Sequence, residues 1–429
     1  MAKRFLFLIP LLALQATVSA AQDVSTVQQQ TSAVQRAAEG VVAVWRGEVS
    51  AQMVFAPAFL AAVPEQQLAA LKTQLEGQFG PFVGLEAVEP TSVDSATVRL
   101  RFERATIAGP MTLARDGKVA GLLLNDIKPA GDSIASIGAE LADLPGKISV
   151  VYAPLDPAKP SIVAVNPGSH MAIGSTFKLY VLSALAHEIA HGARRWDDVV
   201  TLEARSFPSG RLQNWPASAP LTLHTLASMM ISESDNTATD QLIRTLGRAA
   251  IQEEVKASGH TAPERMFPFL TTMELFALKG DAASARAFVN APKERQRTLV
   301  EELAQRIDRD PASVVPPAFS EPKMIESLEW FASAEDLRRL MARIVALEDP
   351  TARQIMAVNP AMPAARRGDW RYVGYKGGSE PGVLNMSWLL QDRAGDWRVL
   401  AMSWNDPASS LDLTKFELLS QRLLAASPP

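Results

Sequence analysis

The chain has 429 residues, 47% of them apolar and 21% charged, which is too long for one average domain and too apolar for a disordered chain. A formal charge of −4 argues against nucleic acid, and no nucleic-acid partner is expected. The absence of cysteine excludes disulfides, thiolate zinc sites, iron–sulfur clusters and a lipid-anchored amino-terminal cysteine.

Residues 1–20 read as an export signal. Lys3 and Arg4 give a basic start, Phe5 to Leu14 an apolar run broken at Pro10, and Val18-Ser19-Ala20 a small-residue cleavage site. The run is too short to span a bilayer comfortably and no later segment replaces it, so an exported, periplasmic or secreted protein without a membrane anchor is expected. Removing it takes away two positive and no negative charges, moving the formal charge from −4 to −6. Residues 21–40 are a Gln- and Ser-rich lead-in, loose or helical.

A small α+β domain is expected over 41–128. Pro64 opens a helix whose Leu68, Leu71, Leu75 and Phe79 share one face, and Gly80-Pro81 ends it. In "ATVRLRF", Val98, Leu100 and Phe102 alternate with polar residues, as in a half-buried strand. Asp116-Gly117 is a hairpin signal between two further strands. No catalytic motif lies in this domain. Residues 129–146 read as a connection with one short helix. The second domain spans 147–429: two strands from Lys147, helices from about 175 to 346, three strands ("WRYVGYKGG", "GVLNMSWLLQ", "DWRVLAMSWN") and a helix from about Leu413 to Ala425. That order suggests one sheet with helices on its faces.

"GSTFKLYVLSALAHEIAHG", residues 174–192, holds two rival signatures. Its first is Ser175-x-x-Lys178, which places the two side chains one turn apart on a helix. Gly174 allows a tight turn, and the free N–H groups of a first helical turn can steady an oxyanion. Lysine activates a serine only when neutral, which burial and a second cation favour. Two further motifs follow: Ser234-Asp235-Asn236 between helices, and Lys376-Gly377-Gly378 on a strand. The three in this order are far more specific than any one alone.

With "IGSTFKLYVLSAL", "MISESDNTATDQLIRTLG" and "YKGGSEPGVLNMSWLL", residues from about 147 to 425 resemble the serine β-lactamase and penicillin-binding-protein superfamily, closest to the class A β-lactamases. The resemblance implies a β-lactamase-like α/β domain, an antiparallel sheet flanked by helices. With the upstream unit, the whole looks like β-lactamase-like hydrolases that carry a steroid-isomerase-like domain first, an architecture that occurs in clavulanic acid biosynthesis. It implies Ser175 as the acylated nucleophile and Lys178 as general base. Ser234 would relay the proton, Asn236 would orient Lys178 and substrate, and Lys376 would hold the substrate's carboxylate. The backbone N–H groups of Ser175 and Ser379 would form the oxyanion hole, with Gly377 and Gly378 on the substrate-binding strand.

Two departures stand out. Gly377 replaces the usual hydroxyl or other small residue, removing a contact to substrate that Ser379 is one candidate to supply. The Glu-x-x-Leu-Asn loop of class A enzymes is also missing: "TAPERMFPFLTTMELF" offers only Glu264 and Glu274. Glu274 lies three residues after Thr271, a capping-box spacing. Long-lived acyl-enzymes with β-lactams and turnover of short esters are therefore expected.

The second signature, His187-Glu188-x-x-His191, matches a zinc-protease helix. Its third ligand would have to come from His170, His224, His260 or Glu203, none of them framed by a pattern. Both histidines read better as residues at the end of an apolar helix, where cations suit the dipole. No metal and no cofactor is expected. Met229-Met230 and the tryptophans read as core, "RLMARI" and "KERQR" as solvated faces. The expected protein is a serine hydrolase acting on a small molecule: a β-lactam, a D-amino-acid peptide or an ester. Its rivals are a slow esterase or penicillin-binding enzyme, then a non-catalytic ligand-binding protein, with a zinc protease last.

Overall fold

A computed structural model describes residues 33–426 except 157, 311–313, 315–316 and 318–319. The expected export signal, 1–20, lies outside the described residues, as does most of the lead-in. The chain divides into two compact units between Asp132 and Ser133. Among the described residues no helix is long and apolar enough to cross a membrane.

In the first unit a helix covers 33–46, crossing the boundary expected at 40. Val34, Ala38 and Val41 recur at helical spacing and are buried with Phe55, Val98, Met111 and Val119, so this unit's core begins before residue 41. Five strands follow: β1 (Phe82–Pro90), β2 (Ser95–Phe102), β3 (Ala105–Leu113), β4 (Val119–Leu122) and β5 (Asp126–Pro129). They form one antiparallel sheet in the order β1-β2-β3-β4, with β5 also on β3. On β2, Ala96, Val98, Leu100 and Phe102 are buried and the residues between them are not, as the alternation requires. Gly117 takes φ +81° in the β3–β4 turn, where Lys118 N–H donates to Asp116. The helix Glu65–Phe79 buries Leu75 and Phe79 but leaves Leu71 37% exposed, because its outer half borders an apolar cavity of about 540 Å³.

The segment 129–146 is less of a connection than its composition suggests. Pro129 ends β5, and the helix Ile134–Ala142 belongs to the second unit. Ser133 and Ser136 form its capping box, and Ile137 and Leu141 are buried in that unit's core with Phe416, Leu419 and Leu423. Ile134, Ile137 and Leu141, at helical spacing, thus convert an expected linker into a structural layer.

The second unit holds β6 (Lys147–Pro154), β7 (Val163–Val165), β8 (Met171–Ala172), β9 (Val199–Thr201), β10 (Pro220–Thr222), β11 (Phe331–Ala332), β12 (Tyr372–Glu380), β13 (Val383–Gln391) and β14 (Trp397–Asn405). The main sheet is antiparallel in the order β12-β13-β14-β6-β7, and both of its faces are covered. Val151, Ala153, Val399 and Ala401 face the helical block, whereas Val150, Tyr152, Leu400 and Met402 face the layer of Ile134–Ala142 and Leu413–Ala426. The helix Lys178–Ala190 runs through the block with every residue from Lys178 to Ala186 buried. Its Leu179, Val181, Leu182 and Leu185 are wholly buried, each worth roughly 1.5–3 kcal/mol. That apolar contribution offsets the burial of a lysine at the helix start. β12 is the sheet's edge, and the turn before this helix packs against it.

Candidate active site

Gly174–Phe177 forms a 3₁₀ turn that runs into the helix at Lys178, so Ser175 precedes the α-helix rather than standing in its first turn. Gly174 has φ +48°, and a Cβ there would lie 3.0 Å from Ser379 N. A Cβ on Gly378 would lie 2.4 Å from Ser175 N and 2.3 Å from Ile173 O. Only two glycines let β12 pass this close to the serine turn. The passage brings the backbone of Ser175 beside that of Gly378 and Ser379. Thr176 locks the turn from behind, its Oγ1 donating to Asn385 Oδ1 on β13 at 2.7 Å.

Lys178 reaches away from the helix into a buried polar knot. Its Nζ donates to Ser234 O at 2.7 Å and Asn236 Oδ1 at 2.7 Å, and lies 3.1 Å from Ser234 Oγ. Lys376 Nζ lies 3.1 Å from the same hydroxyl and also donates to Gly377 O. No carboxylate bonds either amine among the described residues. Burial, then the charge of Lys376, holds Lys178 well below the usual lysine range, against the opposing pull of Asp240 and Asp235. Burial alone brings Lys376 down to about 7. Ser175 lines the cleft, and its Oγ has no hydrogen bond among the described residues.

Asp235 explains the middle of Ser-Asp-Asn. It caps the helix Asn236–Leu246 through Ala238 N–H at 2.8 Å and accepts from Arg211 N–H at 2.6 Å and Leu212 N–H at 2.9 Å. A Cβ at Gly210, φ +106°, would meet its carboxyl carbon at 2.3 Å. Ser234 itself sits at φ +53°, a strained value for a serine. Its carbonyl is held by Ser209 Oγ as well, at 2.7 Å. Ser209, which sequence reasoning missed, comes from a loop with no pattern of its own.

The cleft measures about 370 Å³, and its lining includes Ser175, Ser209, Ser234, Tyr375, Lys376 and Ser379. Among the described residues the one acid lining it is Glu233, exposed at the rim and 3.5 Å from Arg211 Nε. Neither acid expected from the sequence lines it. Glu264 is exposed on the turn Pro263–Met266. Glu274 completes the capping box with Thr271 and takes Arg248 Nη2 at 2.8 Å. Between them Met266, Phe269 and Leu270 are buried, Phe269 edge-on to Phe177 at 5.8 Å. Asp240, one turn beyond Asn236, pins this segment by accepting from Thr272 N–H at 2.7 Å and Met273 N–H at 3.0 Å. Burial pushes its carboxyl up to about 6 against those bonds.

The HEIAH residues are committed elsewhere. His187 Nδ1–H donates to Ser183 O at 2.9 Å, Glu188 accepts from Arg194 Nε at 2.5 Å, and His191 ends the helix. His170, His260 and Asp336 form a tighter group. There His260 Nδ1 accepts Ala262 N–H at 3.1 Å, so its Nε2 carries the proton it donates to Phe331 O at 2.8 Å. Neither nitrogen keeps a lone pair for a metal, and the group reads as a hydrogen-bond lock beside β8 and β11.

A family model described as the beta-lactamase enzyme family matches residues 132–358. Among curated proteins none matches. Solved structures similar to this chain include a beta-lactamase from Sphaerobacter thermophilus, at 20% identity over 68% of this chain and 94% of that one, with a TM-score of 0.46. Penicillin-binding protein PBP-A matches at 18% identity over 68% and 94%, TM-score 0.44. A beta-lactamase from Francisella tularensis matches at 14% over 68% and 95%, TM-score 0.45. Because the family model spans more than half of the residues, from the start of the second unit past its helical block, this chain belongs to the beta-lactamase enzyme family and is an enzyme of the serine hydrolase type.

Proposed function

We propose that this enzyme is acylated at Ser175 by β-lactams or related amides and esters, and that its nearest relatives in mechanism are the class A enzymes. The observation that carries this reading is Lys178: wholly buried, without a carboxylate partner, three residues from a serine that faces the cleft. Such an amine is poised to be neutral and to act as a base. Neutral Lys178 takes the Ser175 hydroxyl proton as Oγ bonds to the acyl carbon. The carbonyl electron pair moves onto oxygen, which accepts from Ser175 and Ser379 N–H. Lys178 then passes its proton through Ser234 Oγ to the leaving nitrogen or oxygen as that bond breaks. Asn236 orients Lys178, and Lys376 faces the substrate's negative charge.

Deacylation requires a water deprotonated beside the ester, and among the described residues the only acid lining the cleft is a rim glutamate. This favours a second reading for bulky substrates, a penicillin-binding enzyme that traps its acyl group, with turnover kept for short esters. The composition of 1–20 supports export, and the antiparallel sheet beneath helices supports the steroid-isomerase-like reading of 41–128.

Intact mass measured after exposure to a penicillin and to an activated short ester tests the proposal. One adduct per chain on the wild type and none on Ser175→Ala is expected, with slow loss of the penicillin adduct. An adduct that persists on Ser175→Ala would sink it.

A further inference from the structure

β12 presents Tyr375, Gly377 and Ser379 on one face and Lys376 and Gly378 on the other. Glycine at 377 leaves no side chain where the resemblance leads one to expect a hydroxyl or another small group. The structure gives a steric reason. A Cβ at 377 would lie 2.1 Å from the Tyr375 hydroxyl oxygen and 2.8 Å from its Cζ. The phenol already fills the volume that a residue-377 side chain would enter. A hydroxyl therefore stands there after all, delivered from two residues earlier on the same face.

That hydroxyl is well placed to meet a ligand. The ring is braced against Trp388, centroids 4.8 Å apart, and Trp388 is wholly buried with its Nε1 donating to Pro360 O at 3.1 Å. The phenol lines the cleft and has no hydrogen-bond partner among the described residues. Burial, then the charge of Glu417, holds it above the usual tyrosine range, so at neutral pH it is an O–H donor. Among the described residues Lys376 is the only cation lining the cleft, and it already donates to Ser234 Oγ and Gly377 O. An anionic group at β12 thus meets a committed ammonium on one side and a free phenol on the other.

We propose that Tyr375 is the specificity-determining hydroxyl of this cleft, donating to the carboxylate of an anionic acyl substrate beside Lys376. The proposal rests on the reading of Ser175 as the acylated residue. Tyr375→Phe removes the hydroxyl and keeps the ring on Trp388. Loss of a hydrogen bond to a charged group corresponds to a drop of about 10- to 100-fold. This is expected in the second-order acylation rate with benzylpenicillin, while a neutral short-chain activated ester reacts as with the wild type. Tyr375→Leu combined with Gly377→Ser moves the hydroxyl back to 377, and recovery of the preference for the carboxylate is expected. Rates unchanged from the wild type for both probes in Tyr375→Phe, or an equal loss for both, would overturn the proposal.

A second arm reads recognition without chemistry. Benzylpenicillin binding to Ser175→Ala should weaken by the same factor when Tyr375→Phe is added. A wild type that neither probe acylates, with that weakening intact, removes the acylation reading and leaves the recognition site standing. Unchanged binding in the double variant removes the recognition site alone.

Discussion

Lys178, Lys376 and Lys279 are all buried in the same unit, yet they occupy two different kinds of surroundings. Around Lys279, the carboxylates of Glu329 and Glu380 close on the amine. Burial pulls its proton affinity down, but the two acids outweigh burial and hold it above the usual lysine range. The excess negative charge falls on Glu380, which burial and then Glu329 push up to about 8. In the cleft the amines meet hydroxyl, amide and carbonyl oxygens, which accept hydrogen bonds but bring no countercharge. Their affinity for protons falls. One strand carries members of both clusters, Lys376 and Glu380 four residues apart on β12. Depth alone therefore does not lower a lysine's hold on its proton; depth without a counter-ion does.

The largest effect that could break this contrast is at Lys178. Lys178→Met should slow acylation of Ser175 by about 10²–10⁴-fold in stopped-flow measurements. Its melting temperature should not fall, since a buried, uncompensated amine is removed. A variant that still acylates within tenfold of the wild type would erase the distinction between the two regions. Lys279→Met should do the opposite. It leaves Glu329 and Glu380 facing each other and should cost about 3–5 kcal/mol in chemical denaturation. The folded fraction should keep most of its acylation rate. The smallest effect is in pH. With Lys376 near 7, its cationic fraction should fall roughly fivefold between pH 7 and 8. The ratio of penicillin to neutral-ester acylation should fall with it, a ratio in which the titration of Lys178 cancels. The folded chain also binds fewer protons at this site than the unfolded chain between about 7 and 10.5, so its contribution to stability rises with pH across that window. A ratio flat from pH 6 to 9 would show that Lys376 does not meet the substrate's charge.

Much of the architecture could be read from the residues because it is written in short periods. The alternation in "ATVRLRF" is β2, and the three apolar runs after Trp370 are β12, β13 and β14. Two of the three motifs lie at the ends of regular elements, Ser175 just before the helix Lys178–Ala190 and Ser234 between two helices, while Lys376-Gly377-Gly378 lies within β12. What escaped depends on long-range encounters. Ser209 reaches the Ser234 carbonyl from 25 residues away, and Asp240 caps a helix more than 30 residues downstream. Neither partner leaves a trace near the other in the sequence. Tyr375 was visible as the residue two before Gly377, but not the lie of its ring along the strand. Glu264 and Glu274 were sensible candidates by position. One stays exposed outside the cleft and the other is spent on a capping box and Arg248, outcomes decided by tertiary packing.

The backbone of Ser234, held at φ +53° with two donors on its carbonyl, has a consequence for the hydroxyl it carries. Its Oγ stands 3.1 Å from each lysine nitrogen. When both amines are protonated they occupy both lone pairs, and the hydrogen must point outward into the cleft. When one amine gives up a proton it gains a lone pair, and the hydrogen can swing toward it. The oxygen stays fixed while the O–H vector turns, like a compass needle between two poles. Proton direction in this site is thus set by the charges of two lysines, with no movement of the main chain.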